Sequence, residues 1–227
     1  MIVALTGQKG GVGKSTTAIC LAMVALERGK RVLLVDGDPQ GTARTWAEVA
    51  AEHGHPAPSV VAMGAQMHLR GQLRQLASGY DVTLIDCPPR QGDVQRSALM
   101  TADVAVLPCG PSAADAWALA SSIEAVAEAR SLREELSACI VITRRQPRTS
   151  LGRGARKVLE SANLPVLGTE LGFRVAYQEA IANGQGITSY ARRDVGAREI
   201  NALYDELEAL FHGQEASLCI PAQAAGG

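Results

Sequence analysis

A chain of 227 residues with 22 Lys and Arg against 23 Asp and Glu carries a formal charge of −1, and its length suits one sizeable hydrophobic core. The near-neutral total argues against a dedicated DNA-coating protein, while leaving room for a local basic patch. Five widely spaced cysteines (Cys20, Cys87, Cys109, Cys139, Cys219) form no C-x-x-C pair, which argues against a disulfide framework or a zinc ribbon.

In chain order, short runs rich in Val, Ile and Leu at residues 2–6, 31–36, 82–86, 104–108 and 138–143 are each bounded by Gly, Pro or Asp and predict buried strands. Helix-length segments lie between and beyond them at 14–28, 42–53, 66–77, 93–101, 113–130 and 154–162. Continuous rather than alternating hydrophobicity in strands that alternate with helices predicts an α/β, doubly wound, mainly parallel sheet covered on both faces. Near the end, Ile200, Leu203, Tyr204, Leu207, Leu210 and Phe211 follow helical spacing and predict a core-facing stripe. One domain over residues 1–212 is expected, with a loose tail at 213–227 that contains Pro221. His53 and His55 sit in a Gly/Pro-rich loop and read as solvated. Neither a signal-peptide pattern nor an apolar run of membrane-spanning length is present, so a cytoplasmic protein without a membrane partner is expected.

The strongest signal is K-G-G-V-G-K-S, from Lys9 to Ser15, placed after the first strand and at the start of the first helix. Glycines at 10, 11 and 13 let the backbone curl so that successive N–H groups point at phosphate oxygens, and the helix N-terminus adds partial positive charge. Lys14 then neutralises the β- and γ-phosphates, and the Ser15 hydroxyl is placed for Mg²⁺. Only four lysines occur in the chain, and two of them fall in this loop, a concentration that a solvated-charge reading does not explain. Gly10, Gly11, Val12, Gly13, Lys14, Ser15 and Thr16 are the candidate phosphate-binding residues.

The loop departs from the general G-x-x-x-x-G-K-[ST] pattern, having Gln8 where the first glycine belongs and then Lys9. A lysine just before the glycine pair resembles the signature of the deviant Walker A ATPases, the group of ParA, MinD, the nitrogenase iron protein and arsenical-pump ATPases. The resemblance implies that Lys9 reaches across a nucleotide-sandwich dimer, a role like that of an arginine finger.

The second strand ends in V-D-G-D-P-Q-G (Val35 to Gly41) and the third predicted strand in V-T-L-I-D-C-P-P (Val82 to Pro89). Carboxylates at the C-terminal ends of parallel strands stand where open α/β sheets bind ligands. By resemblance, Asp38 orients the attacking water, Asp36 supports the Mg²⁺ shell and Asp86 is the Mg²⁺-water ligand of a Walker B strand. Lys9, Lys14 and Asp38 are thus the implied catalytic set, with Ser15, Asp36 and Asp86 on the metal. I-T-R-R (Ile142 to Arg145) resembles the purine-side segment and makes Thr143 and Arg144 adenine neighbours. F-R-V-A-Y-Q-E-A (Phe173 to Ala180) resembles a ParA segment whose Arg contacts DNA, a role carried to Arg174, with Arg192 and Arg193 beside it in the basic C-terminal half.

The resemblance is to the small ParA proteins that lack an N-terminal DNA-reading domain. It implies an ATPase using ATP and Mg²⁺ that forms a homodimer with ATP. That dimer binds double-stranded DNA nonspecifically, associates with the nucleoid, and is stimulated by a ParB-like or cargo adaptor. Two other classes share the loop: a MinD-like membrane positioning ATPase, and a metabolic enzyme such as a cobyrinic-acid amidase.

Overall fold

The computed structural model describes residues 1–90, 92–146 and 156–218, the last five by their backbone alone. Arg148, Arg153, Cys219 and Pro221 lie outside the described residues. The elements in order are β1 (Ile2–Leu5), α1 (Lys14–Glu27), β2 (Val32–Asp36), α2 (Thr42–Glu52), β3 (Ser59–Ala62), α3 (Gln72–Ala77), β4 (Val82–Asp86), α4 (Gly92–Leu99) and β5 (Val104–Cys109). Then come α5 (Ala113–Leu132), β6 (Ser137–Arg145), β7 (Val166–Gly172), α6 (Val175–Ala182), α7 (Ile187–Tyr190) and α8 (Val195–Leu218).

The strands form one seven-stranded sheet in the order β3-β2-β4-β1-β5-β6-β7, with every pairing parallel. Because successive side chains of a strand point to opposite faces, a sheet covered on both sides buries every position. β1 does so: Val3 and Leu5 join one core with α1 and α8, while Ile2 and Ala4 join the other with α4 and α5. The doubly wound arrangement follows from this continuous hydrophobicity. The stripe expected from Ile200 to Phe211 packs on the first core, with Leu210 and Phe211 partly buried against it.

Two strands escape the sequence pattern. β3 is a half-exposed edge with only Val60 and Val61 as its apolar pair, and β7 carries two glycines in seven residues. The outer side of β7 is closed by side chains: Glu206 accepts from the Gly168 and Thr169 amides at 2.8 and 2.7 Å, and Glu199 from the Gly172 amide at 3.0 Å. Carboxylates thereby replace the missing neighbour strand and satisfy amides that an open edge leaves unpaired. The boundary expected at Gly213 falls inside α8, which continues to Leu218.

On the other flank α2 is held against the loop before α7. Buried Trp46 donates its indole N–H to the Gln185 carbonyl at 3.2 Å. Gly184, with φ +66°, lies so close to α2 that a Cβ would stand 2.4 Å from the Ala50 amide nitrogen. Both the left-handed conformation and the backbone contact require glycine there.

Candidate nucleotide site

The C-terminal ends of β1, β2 and β4 converge, with Leu5 and Asp36 both in register with Asp86. The glycine-rich loop follows β1 directly. Gly11 (φ 72°) and Gly13 (φ 91°) occupy the left-handed region that turns the chain into α1. Gly13 is the N-cap of α1, no side chain caps that terminus, and its first turn has no acid. The amides and dipole of an uncapped helix start are complementary to an anion.

Lys14 is buried, and its ammonium donates to the Lys9 carbonyl at 2.8 Å. Burial holds its pKa below the ordinary lysine value, against the pull of Asp86, Cys87 and Asp38. Asp86 is wholly buried, and neither carboxylate oxygen has a hydrogen-bond partner among the described residues. Its pKa is pushed up to about 7, first by burial; Ser15 stands near enough to lower it without reaching hydrogen-bonding geometry, and Asp36 raises it further. A buried carboxylate with two unpartnered oxygens beside a serine hydroxyl is an oxygen donor set suited to hydrated Mg²⁺.

Asp36 differs from Asp86. One of its oxygens accepts from the Asp38 amide at 3.1 Å, and the other from the Arg44 amide at 3.0 Å and the Arg44 Nε at 3.4 Å. It therefore builds the turn that presents Asp38 and starts α2. Asp38 is half-buried, and one of its oxygens accepts from the Gln40 amide at 2.9 Å.

Thr143 and Arg144 reach the loop from the end of β6. The Thr143 hydroxyl donates to the Val12 carbonyl at 2.8 Å, and the Arg144 guanidinium donates to the Gly11 carbonyl at 2.9 Å. Arg144 has φ 56°, an uncommon backbone state for a non-glycine residue. Its guanidinium carbon lies 5.5 Å from the Phe173 ring centroid. These residues, with Arg174, Tyr177 and the loop glycines, line a cavity of about 380 Å³, adequate for a nucleoside.

Arg174 is engaged within the fold. Its guanidinium pairs with Glu199 at 2.5 and 3.2 Å and approaches Asp194 at 3.9 Å, and it lines the nucleotide-sized cavity. Arg145 and Arg156 are likewise engaged, both by Glu170 at 2.5 and 3.0 Å. Arg192 and Arg193 are exposed, one turn before α8.

Sequence reasoning missed three residues. Gln95 on α4 is buried and donates to the Pro88 carbonyl at 2.9 Å and the Gly7 carbonyl at 3.4 Å, tying the loop after β4 to the start of the phosphate loop. Phe173 is a half-exposed aromatic at the cavity. Asp115 binds Lys9. Phe173 opens the F-R-V-A-Y-Q-E-A segment, which singled out Arg174 alone, and Gln95 stands in no motif of fixed spacing. Cys20, Cys87, Cys109 and Cys139 are buried free thiols, and burial raises the pKa of each. No group of three or more potential metal-binding His, Cys, Asp or Glu side chains occurs among the described residues.

The family described as the CobQ/CobB/MinD/ParA nucleotide binding domain matches residues 3–187. The chain belongs to that family. It is a P-loop ATPase of the ParA/MinD type, and known relatives resemble it over most of its length. A maintenance of carboxysome distribution protein A of Gloeobacter kilaueensis is 37% identical, covering 89% of this chain and 90% of its own. The chromosome-partitioning ATPase Soj of Thermus thermophilus is 32% identical, covering 91% and 95%. Among solved structures, the septum site-determining protein MinD of Pyrococcus horikoshii, complexed with Mg-ADP, superposes with a TM-score of 0.72 at 19% identity, covering 94% and 98%. That likeness concerns the fold. No helix among the described residues is long and apolar enough to cross a membrane.

Proposed function

We propose that this protein is an ATP-driven positioning switch for a macromolecular cargo, using ATP and Mg²⁺. The observation that carries the reading is the division of labour between two lysines of one loop: Lys14 is buried and feels the charge of Asp86, while Lys9 is half-exposed and paired with Asp115 of α5. A second cation that faces away from its own phosphate site fits a group that serves a second copy of the chain. The names of the relatives at 37% and 32% identity, concerned with carboxysome distribution and chromosome partitioning, support a cargo-positioning role.

In this reading the loop amides and Lys14 hold the triphosphate, and the cavity beside Thr143 and Arg144 takes the nucleoside. Ser15 and Asp86 would hold Mg²⁺, which supplies charge neutralisation between the phosphates when bound. Asp36 fixes the turn that aims Asp38, and Asp38 orients water for hydrolysis. Two copies joined by ATP would present Arg192 and Arg193 twice, and phosphate contact with DNA needs charge rather than sequence reading. A cargo adaptor would then stimulate hydrolysis and release the pair. Arg174, held by Glu199, is assigned to the nucleotide cavity in this reading.

Asp38→Ala tests the cycle, because it removes water orientation while leaving the phosphate cradle. The variant with ATP and Mg²⁺ should persist as a dimer in sedimentation and retain random duplex DNA at low salt, with binding that weakens steeply as salt rises. Near-normal hydrolysis by the variant overturns the role of Asp38. Absence of DNA retention by a formed dimer overturns the DNA step and leaves a positioning ATPase that works through another surface.

A further inference from the structure

Lys9 is the half-exposed lysine of the phosphate loop, and its ammonium is occupied. It forms an ion pair with Asp115 in the first turn of α5. Asp115 is itself fixed by three hydrogen bonds with Ser112. Its Oδ2 accepts from the Ser112 amide at 3.0 Å and from the Ser112 hydroxyl, while that hydroxyl accepts from the Asp115 amide at 3.1 Å. This reciprocal capping box holds the start of α5 and leaves Oδ1 to the lysine. Gly110 leaves the room that this arrangement needs, since a Cβ there would stand 2.5 Å from Asp115 Oδ2. Glycine at 110 is what lets the carboxylate occupy that spot.

A cap needs only an acceptor, whereas holding an ammonium is served by a charge. Asparagine provides the acceptor and lacks the charge. The two roles of Asp115 are therefore separable by one atom.

We propose that Asp115 is the positioning residue for Lys9, retaining its ammonium on the lysine's own chain until a nucleotide-bound second copy takes it. The inference rests on the two-copy cycle proposed above. Because Lys9 leaves one carboxylate to reach phosphate oxygens, the strength of the Lys9–Asp115 pair is subtracted from the affinity between copies. With side-chain exposures of 39% and 11% the pair is partly solvated, so its removal should shift that affinity by a few-fold rather than by orders of magnitude.

The test is sedimentation of the full chain with Mg²⁺ and a nonhydrolysable ATP analogue, beside equilibrium binding of labelled ATP. Asp115→Asn should tighten pairing about threefold while ATP affinity stays at the wild-type value. Asp115→Glu keeps the charge and should restore wild-type pairing. Gly110→Ala displaces the carboxylate without neutralising it and should tighten pairing in the same direction, a change that mere loss of stability would not produce. If wild type pairs and Asp115→Asn pairs equally or less tightly, the positioning role is overturned while the cycle stands. If wild type binds the analogue and remains a monomer, the two-copy cycle itself is overturned, and this role with it.

Discussion

The two sides of the nucleotide cavity are built in opposite ways. On the phosphate side, each chemical group sits at the end of a strand or in the loop that follows: Lys9 to Ser15 after β1, Asp36 and Asp38 at β2, Asp86 at β4. On the Phe173 side, residues come from β6 and β7 and are held by tertiary contacts, Arg144 by the Gly11 carbonyl and Arg174 by Glu199 of α8. Triphosphate recognition demands a fixed fan of amides and a buried cation, a geometry that few sequences supply. A flat base can be accommodated by many combinations of apolar and cationic side chains, so that side carries no compact motif.

Lys14→Ala should break the phosphate side outright. It removes the buried ammonium, and labelled-ATP affinity should fall by at least about a hundredfold in a protein whose unfolding transition remains cooperative. Retained affinity would move phosphate binding away from this loop. Arg144→Ala probes the other side with a smaller expected loss, about tenfold for ATP, from the guanidinium that spans Gly11 and Phe173. Inorganic tripolyphosphate should bind wild type and Arg144→Ala alike. An equal loss for tripolyphosphate would show that Arg144 shapes the loop rather than the nucleoside cavity.

The smallest effect concerns pH in the metal-free protein. Asp86 has a folded pKa of about 7, above its ordinary value near 3.8, so the folded state binds the proton more tightly than the unfolded one. Stability therefore falls as pH rises from about 4 to about 7 and is level with respect to this group above that range, a change on the order of a few kcal/mol. Asp86→Asn should flatten the slope between pH 5 and 8 in denaturant titrations. A slope that survives the substitution would assign it to another group.

The legibility of the fold follows the same division. β1, β2, β4, β5 and β6 were readable because Val, Leu and Ile run without interruption where both sheet faces are covered, as in Val32–Asp36. β3 and β7 are edges, exposed or glycine-bearing, and their pairing depends on neighbours far along the chain. The positions of Lys14 and Asp86 were legible from spacing, since strand ends and the helix start place them. The engagement of Asp36 with the Arg44 amide, of Arg174 with Glu199 and of Lys9 with Asp115 was not. Those partners lie 8, 25 and 106 residues away, and only packing decides which carboxylate meets which donor.

The central place of β1 carries a consequence for how the protein comes into being. This strand precedes both of its partners in the chain, pairing with β4 and β5 and matching Ile2 to Thr83 and Val3 to Val104. Contacts of such long sequence separation slow folding, because the entropy of closing a large loop precedes the reward. On the ribosome, β1 gains its first flanking strand with β4 and its second only when β5 has emerged. A chain interrupted before Val104 would leave one side of β1 as an open apolar edge, a template for aggregation. The phosphate loop that follows β1 cannot be clamped in its sheet until the chain has been translated through Val104–Cys109.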